Sequence, residues 1–256
     1  MTTSSVLITG ASSGIGKALA FEYAAPGVHL ALTGRNSERL EAVASECRTR
    51  GAEVRATALD VCDRLALTSW INEIDASQPL DLGIACAGIL YGTGLDRARE
   101  LPSAIESIVK TNILGTINTA EALADCMSIR GSGQLAIVGS LAGYRGFPFS
   151  AVYCASKAAV QVYAEGLRAN LRSNGVGVTL IAPGFVASNF VKGVVSPKPL
   201  MVQTEKAARL IRVGLDRRKN LIAFPQSLYI GVQLMRLLPS RLIDNVLSRV
   251  KVDIPN

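Results

Sequence analysis

The stretch 5-SVLITGASSGIG-16 begins as an apolar run and breaks into a loop of small residues. The run 5-SVLIT-9 has the length and composition of a buried strand, and helical spacing resumes at about residue 14. A strand feeding a glycine loop that opens a helix is the context in which such a loop binds a dinucleotide. Gly10, Gly14 and Gly16 let the backbone turn sharply and approach a ligand. The helix N-terminus then offers unpaired N–H groups and the positive end of its dipole to a pyrophosphate. The spacing differs from the GxGxxG of larger dehydrogenases, and a glycine turn by itself is also a plain tight turn. Ser12 and Ser13 read either as phosphate contacts or as helix caps. Ile15 belongs to the same ligand-facing loop.

Outward from this unit, apolar runs alternate with helical patterns along the chain. The runs are 5–9, 28–33, 53–59, 81–87, 134–140, 176–182 and 219–224. The helical segments are 14–25, 36–50, 63–77, 101–130, 151–174 and 204–217. Near-continuous apolar strands separated by helices predict a parallel sheet covered on both faces. The expectation is an α/β protein: a doubly wound, seven-stranded parallel sheet in three α/β/α layers, built as a single domain over residues 1–256.

The bulk numbers set limits. Hydrophobic residues make up 49% of 256, enough for a large core. The net charge is +7, yet the 27 basic residues never form a run of five or more, so they read as a solvated surface or as attraction to an anionic cofactor, substrate or membrane. Aromatic content of 5% argues against base stacking and hence against nucleic-acid binding. Five cysteines without a CxxC pair suit a reducing, cytoplasmic setting. His29 is the one histidine and reads as structural, so neither a His-rich metal site nor a Ser/His/Asp triad is expected. No signal peptide and no run of twenty apolar residues is apparent.

The second strand ends 33-TGRN-36. In a fold of this kind an acidic residue here holds the adenosine ribose of NAD, whereas arginine accommodates the extra phosphate of NADP. Gly34 stands in the acidic position and Arg35 follows, which predicts NADP(H) over NAD(H). A second unusual stretch is 150-SAVYCASKAAV-160, where Tyr153 and Lys157 lie one helical turn apart on one face. A cation near a phenol favours the phenolate and lowers its pKa, making it a usable acid–base group. Lysine also has donors to spare for ribose hydroxyls.

The combination TGASSGIG (9–16), TNILG (111–115), Gly139-Ser140, YCASK (153–157) and Pro183-Gly184 resembles the short-chain dehydrogenase/reductase family, over about residues 5–224. The resemblance implies a Rossmann-like sheet of order 3-2-1-4-5-6-7 and a homodimer or homotetramer. It implies that Tyr153 is the general acid/base and Lys157 its electrostatic partner. Ser140 would be the donor to the substrate oxygen, and Asn112 the holder of a relay water. It places Asp60 and Val61 beside the adenine. It also implies that Ile181, Pro183, Gly184, Val186 and Ser188 line the nicotinamide and that Ala87 and Gly88 lie near the cofactor. Where the family commonly has Asn-Asn-Ala-Gly, this chain has Ala85-Cys86-Ala87-Gly88, which puts hydrogen bonds of the central sheet in question. Cys86 and Cys154 read as packing residues, because no partner base is evident. The implied activity is hydride transfer between nicotinamide and a ketone or secondary alcohol. The alternative is a catalytically silent NADP(H)-binding regulator, and the YxxxK spacing disfavours enoyl reduction.

Two segments exceed the core's needs. Residues 184–203 form a long connection that reads as a substrate lid. Residues 225–256 form an apolar extension, with a helix capped by Ser240 placing Leu242, Ile243, Val246, Leu247 and Val250 on one face. Its role stays open between peripheral membrane contact, a subunit interface and a cover for the substrate cleft. A hydrophobic, lipid-like carbonyl substrate goes with such a tail.

Overall fold

In the computed structural model the described residues are 3–93, 99–188, 198–247 and 254. In chain order they form β1 (Ser5–Thr9), α1 (Gly14–Tyr23), β2 (His29–Thr33), α2 (Ser37–Thr49), β3 (Glu53–Thr57), α3 (Arg64–Ser77) and β4 (Leu82–Ala85). Then come α4 (Pro102–Ile108), a π-helical turn (Val109–Leu114), α5 (Gly115–Arg130), β5 (Gly133–Val138), α6 (Ala151–Leu171) and β6 (Val176–Pro183). The rest comprises β7 (Val186–Ala187), β8 (Val202–Gln203), α7 (Thr204–Asp216), β9 (Leu221–Phe224), α8 (Gln226–Met235) and α9 (Ser240–Leu247). The main sheet has seven strands in the order β3-β2-β1-β4-β5-β6-β9, all parallel. This is the Rossmann-like order that the family resemblance implies.

Burial explains the strand sequences. Every residue of β1 is buried, because its alternate side chains enter two different cores. Val6 and Ile8 join Leu19, Leu40 and Ile211 from α1, α2 and α7 on one face. Leu7 joins Trp70, Leu123 and Val160 from α3, α5 and α6 on the other. Each fully buried Leu or Ile contributes about 1.5–3 kcal/mol of transfer free energy. By contrast β3, at the sheet edge, alternates exposed and half-buried residues. Short polar side chains start the helices: Asn36 Oδ1 accepts from the Arg39 N–H (2.8 Å) and Asp63 Oδ1 from the Ala66 N–H (3.0 Å).

Three departures from the sequence reading matter for the site. Strands expected to reach residues 59, 87 and 140 end at Thr57, Ala85 and Val138, and the remaining residues leave the sheet as loops. The single helix expected over 101–130 is divided by the π-helical turn, whose extra residue turns Asn112 inward. The expected lid contains a short parallel pair, β7 with β8, that ties its two described ends together; residues 189–197 lie outside the described residues.

The tail also departs from expectation. On α9, Ile243 is buried but its neighbour Leu242 is 53% exposed, so the two do not share an inward face; the side chains of 246–250 lie outside the description. α8 packs Val232 against Leu141, Tyr144, Ala182 and Ala223, and the Tyr229 ring meets that of Tyr144 edge-on at 5.5 Å. Arg145 pairs with Asp244 at 3.2 Å, fastening α9 to the loop beyond β5. Among the described residues no helix is long and apolar enough to cross a membrane.

Candidate active site

The loops at the carboxyl ends of the strands surround one cleft of about 960 Å³. Ligands in open α/β sheets bind at this edge. Every residue expected to touch cofactor or substrate lines it, except Asn112 and Ile181. Ile181 is fully buried with the core residues on the α1/α7 face of the sheet, so its side chain cannot reach a ligand. A strand interior alternates its faces, and this position points away from the cleft.

The glycine loop has the shape that a pyrophosphate requires. Gly10 sits at φ +68°, and a Cβ there would fall 2.8 Å from Ala87 Cα. A Cβ on Gly16 would fall 2.4 Å from the Gly10 carbonyl oxygen. Ser13 occupies the N-cap position of α1 yet its hydroxyl caps nothing, which frees it for a ligand. The first main-chain bond of the helix is made by Lys17 to Ser13 O (3.1 Å), so the N–H groups before it open toward the cleft. Ser188 closes over the loop from the other side, its Cβ 3.6 Å from where a Gly14 Cβ would stand. The residues present therefore fit a dinucleotide.

At the end of β2, a Cβ on Gly34 would meet Ser12 Oγ at 3.0 Å, so a carboxylate-bearing side chain is crowded there. Arg35 is exposed and lines the cleft. Arg39 lines it too, one turn later on α2. The sequence reading missed Arg39, although its i+4 spacing from Arg35 was available as a signal. Neither guanidinium makes an ion pair among the described residues. Asp60 holds its own turn, its Oδ1 accepting from the Cys62 N–H (2.9 Å), and Val61 packs beneath it.

The main chain at the Ala85-Cys86 departure is held by Thr9. Its hydroxyl oxygen accepts from the N–H groups of Cys86 (3.1 Å) and Ala87 (3.3 Å), and its O–H reaches Ile84 O (3.5 Å). One strand-end hydroxyl thus fixes the loop that approaches the glycine turn. Burial pushes the Cys86 thiol up to about 12 despite the Lys157 charge, so it stays a thiol near neutrality.

Asn112 acts behind the wall. It is fully buried; its Oδ1 accepts from Ile89 N–H (2.8 Å), and its Nδ2 donates to Ile89 O (2.9 Å) and Ser156 Oγ (3.1 Å). Both amide hydrogens are used, so the side chain joins the β4 loop to α6. Glu100, also unforeseen, accepts from the Val152 N–H with both carboxylate oxygens (3.1 and 3.3 Å) and so caps the start of α6 from a distant loop.

The catalytic candidates converge on this scaffold. Ser140 Oγ accepts from Ala142 N–H (3.1 Å), contacts Pro183 O at 3.4 Å, and shares a hydrogen bond with the Tyr153 hydroxyl. Lys157 Nζ donates to Val138 O (3.0 Å) and lies 5.9 Å from the Tyr153 ring centre. The expected lowering of the phenol by the ammonium is not what the protein alone produces. Burial raises the Tyr153 pKa well above its ordinary value, and the Ser140 hydrogen bond only partly opposes it. Burial also brings Lys157 down to about 8. Both charged forms lose hydration, and the ammonium spends its nearest contact on a carbonyl. The result is a protonated phenol, hydrogen-bonded to a serine, with an easily titrated lysine beside it.

Comparison with known proteins agrees with this geometry. The short chain dehydrogenase family model matches residues 4–198. A protein of Myxococcus xanthus named only as an uncharacterized oxidoreductase is 36% identical over 253 residues, covering 98% of this chain and 99% of its own length. Human estradiol 17-beta-dehydrogenase 11 is 28% identical over 251 residues, covering 96% and 83%. The solved short-chain dehydrogenase from Sphingobium yanoikuyae in complex with NADPH superposes with a TM-score of 0.79 at 24% identity, covering 97% of this chain and 96% of that one. Sheet order, cleft and kinship lead to one conclusion: this chain belongs to the short-chain dehydrogenase family of oxidoreductases.

Proposed function

We propose that this protein is an NADPH-dependent reductase of apolar ketones, acting in reverse on the corresponding secondary alcohols. The observation that carries the proposal is the convergence of Ser140, Tyr153 and Lys157 in a cleft with mainly apolar walls. The preference for NADPH is supported by Arg35 and Arg39 beside Gly34, where a 2′-phosphate would meet two guanidiniums and no carboxylate. The apolar substrate is supported by Phe147, Phe149, Leu228 and Met235 in the cleft wall, and by the name of the estradiol dehydrogenase relative.

When bound, the reduced nicotinamide supplies the hydride. The chain's own groups handle charge and protons. Ser140 turns its O–H from the long contact with Pro183 O toward the substrate oxygen, where negative charge develops. Tyr153, held protonated by burial, gives its proton to that oxygen. Lys157, charged below about pH 8, stabilises the phenolate left behind. A silent nucleotide-binding regulator has no use for these three groups together.

The test is nicotinamide absorbance with NADPH and NADH over a panel of ketones, for wild type and Tyr153→Phe. We expect turnover with NADPH, reduced about 10²–10⁴-fold by the substitution, with nucleotide binding retained. Equal or better use of NADH removes the cofactor assignment. Unchanged turnover in Tyr153→Phe removes the catalytic one.

A further inference from the structure

Ile254 is only 4% exposed and lines the same cleft as Tyr153. Its seat is defined by two loops. A Cβ on Gly92 would stand 2.4 Å from Ile254 Cβ and 2.6 Å from the Phe149 carbonyl oxygen. The Thr93 N–H donates to that carbonyl at 3.1 Å, joining the loop after β4 to the loop that leads into α6. Only glycine at position 92 leaves room for Ile254 at this junction. Beside it, the rings of Phe147 and Phe149 stack at 5.6 Å with planes 18° apart. Leu228 and Met235 of α8 also face the cleft, and both belong to the C-terminal extension that carries Ile254. The catalytic groups reside in the loop after β5 and on α6, whereas part of the apolar wall is made by α8 and Ile254. The chemistry and the shape of the pocket thus come from different parts of the sequence.

We infer that Ile254 is a specificity-determining residue: its side chain forms the wall against which the alkyl portion of a ketone substrate packs, and its bulk limits how long that portion can be. This rests on the ketone-reductase reading above. An apolar wall discriminates by volume, and a mismatch of one methylene is worth about tenfold in kcat/KM. Trimming isoleucine to alanine opens space for further carbons of the substrate, and enlarging it to phenylalanine removes space. A residue that merely stabilised the fold would shift all substrates alike.

The experiment uses the full-length protein, with NADPH and the 2-alkanones from 2-hexanone to 2-dodecanone. Wild type, Ile254→Ala and Ile254→Phe are compared by kcat/KM and by Tm. In Ile254→Ala the ratio of kcat/KM for the longest to the shortest ketone should rise about tenfold, through KM for the long ketones; in Ile254→Phe it should fall. NADPH affinity, measured by nucleotide fluorescence, should be the same in all three. A ratio that stays constant in both variants, with activity falling in parallel with Tm, overturns the inference. If wild type binds NADPH but reduces no ketone, the functional reading fails, and the inference is then decided by Tm shifts with the same alkanones. A chain-length dependence that differs between wild type and Ile254→Ala supports it, and an identical dependence overturns it.

Discussion

Lys157 is a buried cation, 4% exposed, that donates to the main-chain carbonyl of Val138. Its pKa falls from the ordinary 10.5 to about 8 because burial removes water from the ammonium. The native protein therefore releases this proton at about pH 8, while the unfolded chain keeps it up to its ordinary value. Between those values the unfolded chain binds more protons, so stability rises with pH through that window, and the full penalty applies below it. Each unit corresponds to about 1.4 kcal/mol, giving a penalty of about 3 kcal/mol near neutrality. Lys157→Met removes the charge but leaves Val138 O unpaired at about 1–2 kcal/mol. The substitution should therefore stabilise the protein by about 1–2 kcal/mol at pH 6.5 while abolishing turnover, and the gain should vanish by pH 10.5. Urea denaturation at both pH values reads this, and a destabilised variant at pH 6.5 refutes it. The same titration predicts that ketone reduction declines as pH rises through about 8, because Lys157 loses the charge that supports the phenolate.

At the scale of elements, two small devices hold the site in shape. Thr9 holds the loop after the fourth strand, pairing the Cys86 and Ala87 N–H groups through one hydroxyl. Thr9→Val keeps the shape and leaves those N–H groups unsatisfied in a buried loop. The expected loss is about 1–3 kcal/mol in unfolding free energy, with a raised KM for NADPH, because Ala87 and Gly88 then lose their register against Gly10. Chemical denaturation and steady-state kinetics check the pair of effects, and an unchanged KM with unchanged stability dismisses the role. The π-helical turn is the other device. It delivers Asn112 to Ile89 and Ser156, linking the cofactor loop to α6. The spacing of apolar residues over 101–130 reads as one continuous helix, since a single inserted residue barely disturbs a pattern of that period.

For the whole molecule, α8 of the C-terminal extension joins the core. Val232 is 4% exposed, and α8 covers Ala182 and Ala223 at the edge of the sheet. Ending the chain after Phe224 would uncover this cluster and the Tyr144 ring. A loss on the order of 5 kcal/mol is expected, which for a protein of this size lowers Tm by about 10–20 °C. Calorimetry of the truncated chain tests this, and an unaltered Tm would show that the extension is dispensable. Exposed Leu234, Leu237 and Leu242 lie on the outer side of the same segment, so its inner face is engaged while its outer face is open to solvent.

The sequence by itself determined the strands, the helices and the chemical groups, because those follow from local signals, while the sheet order came with the family resemblance those signals carry. A glycine loop between strand and helix, alternating apolar runs and a tyrosine one turn before a lysine are all readable within a few residues. What the tertiary structure decided depends on contacts between distant segments. Burial set the direction of the Tyr153 and Lys157 titrations, since no local pattern reports how much water a group loses on folding. The same holds for the Thr9 and Glu100 hydrogen bonds and for the seating of Ile254 between Gly92 and Phe149. Each pairs residues far apart in the chain or separated by a turn of backbone, and only the closed fold brings them within reach.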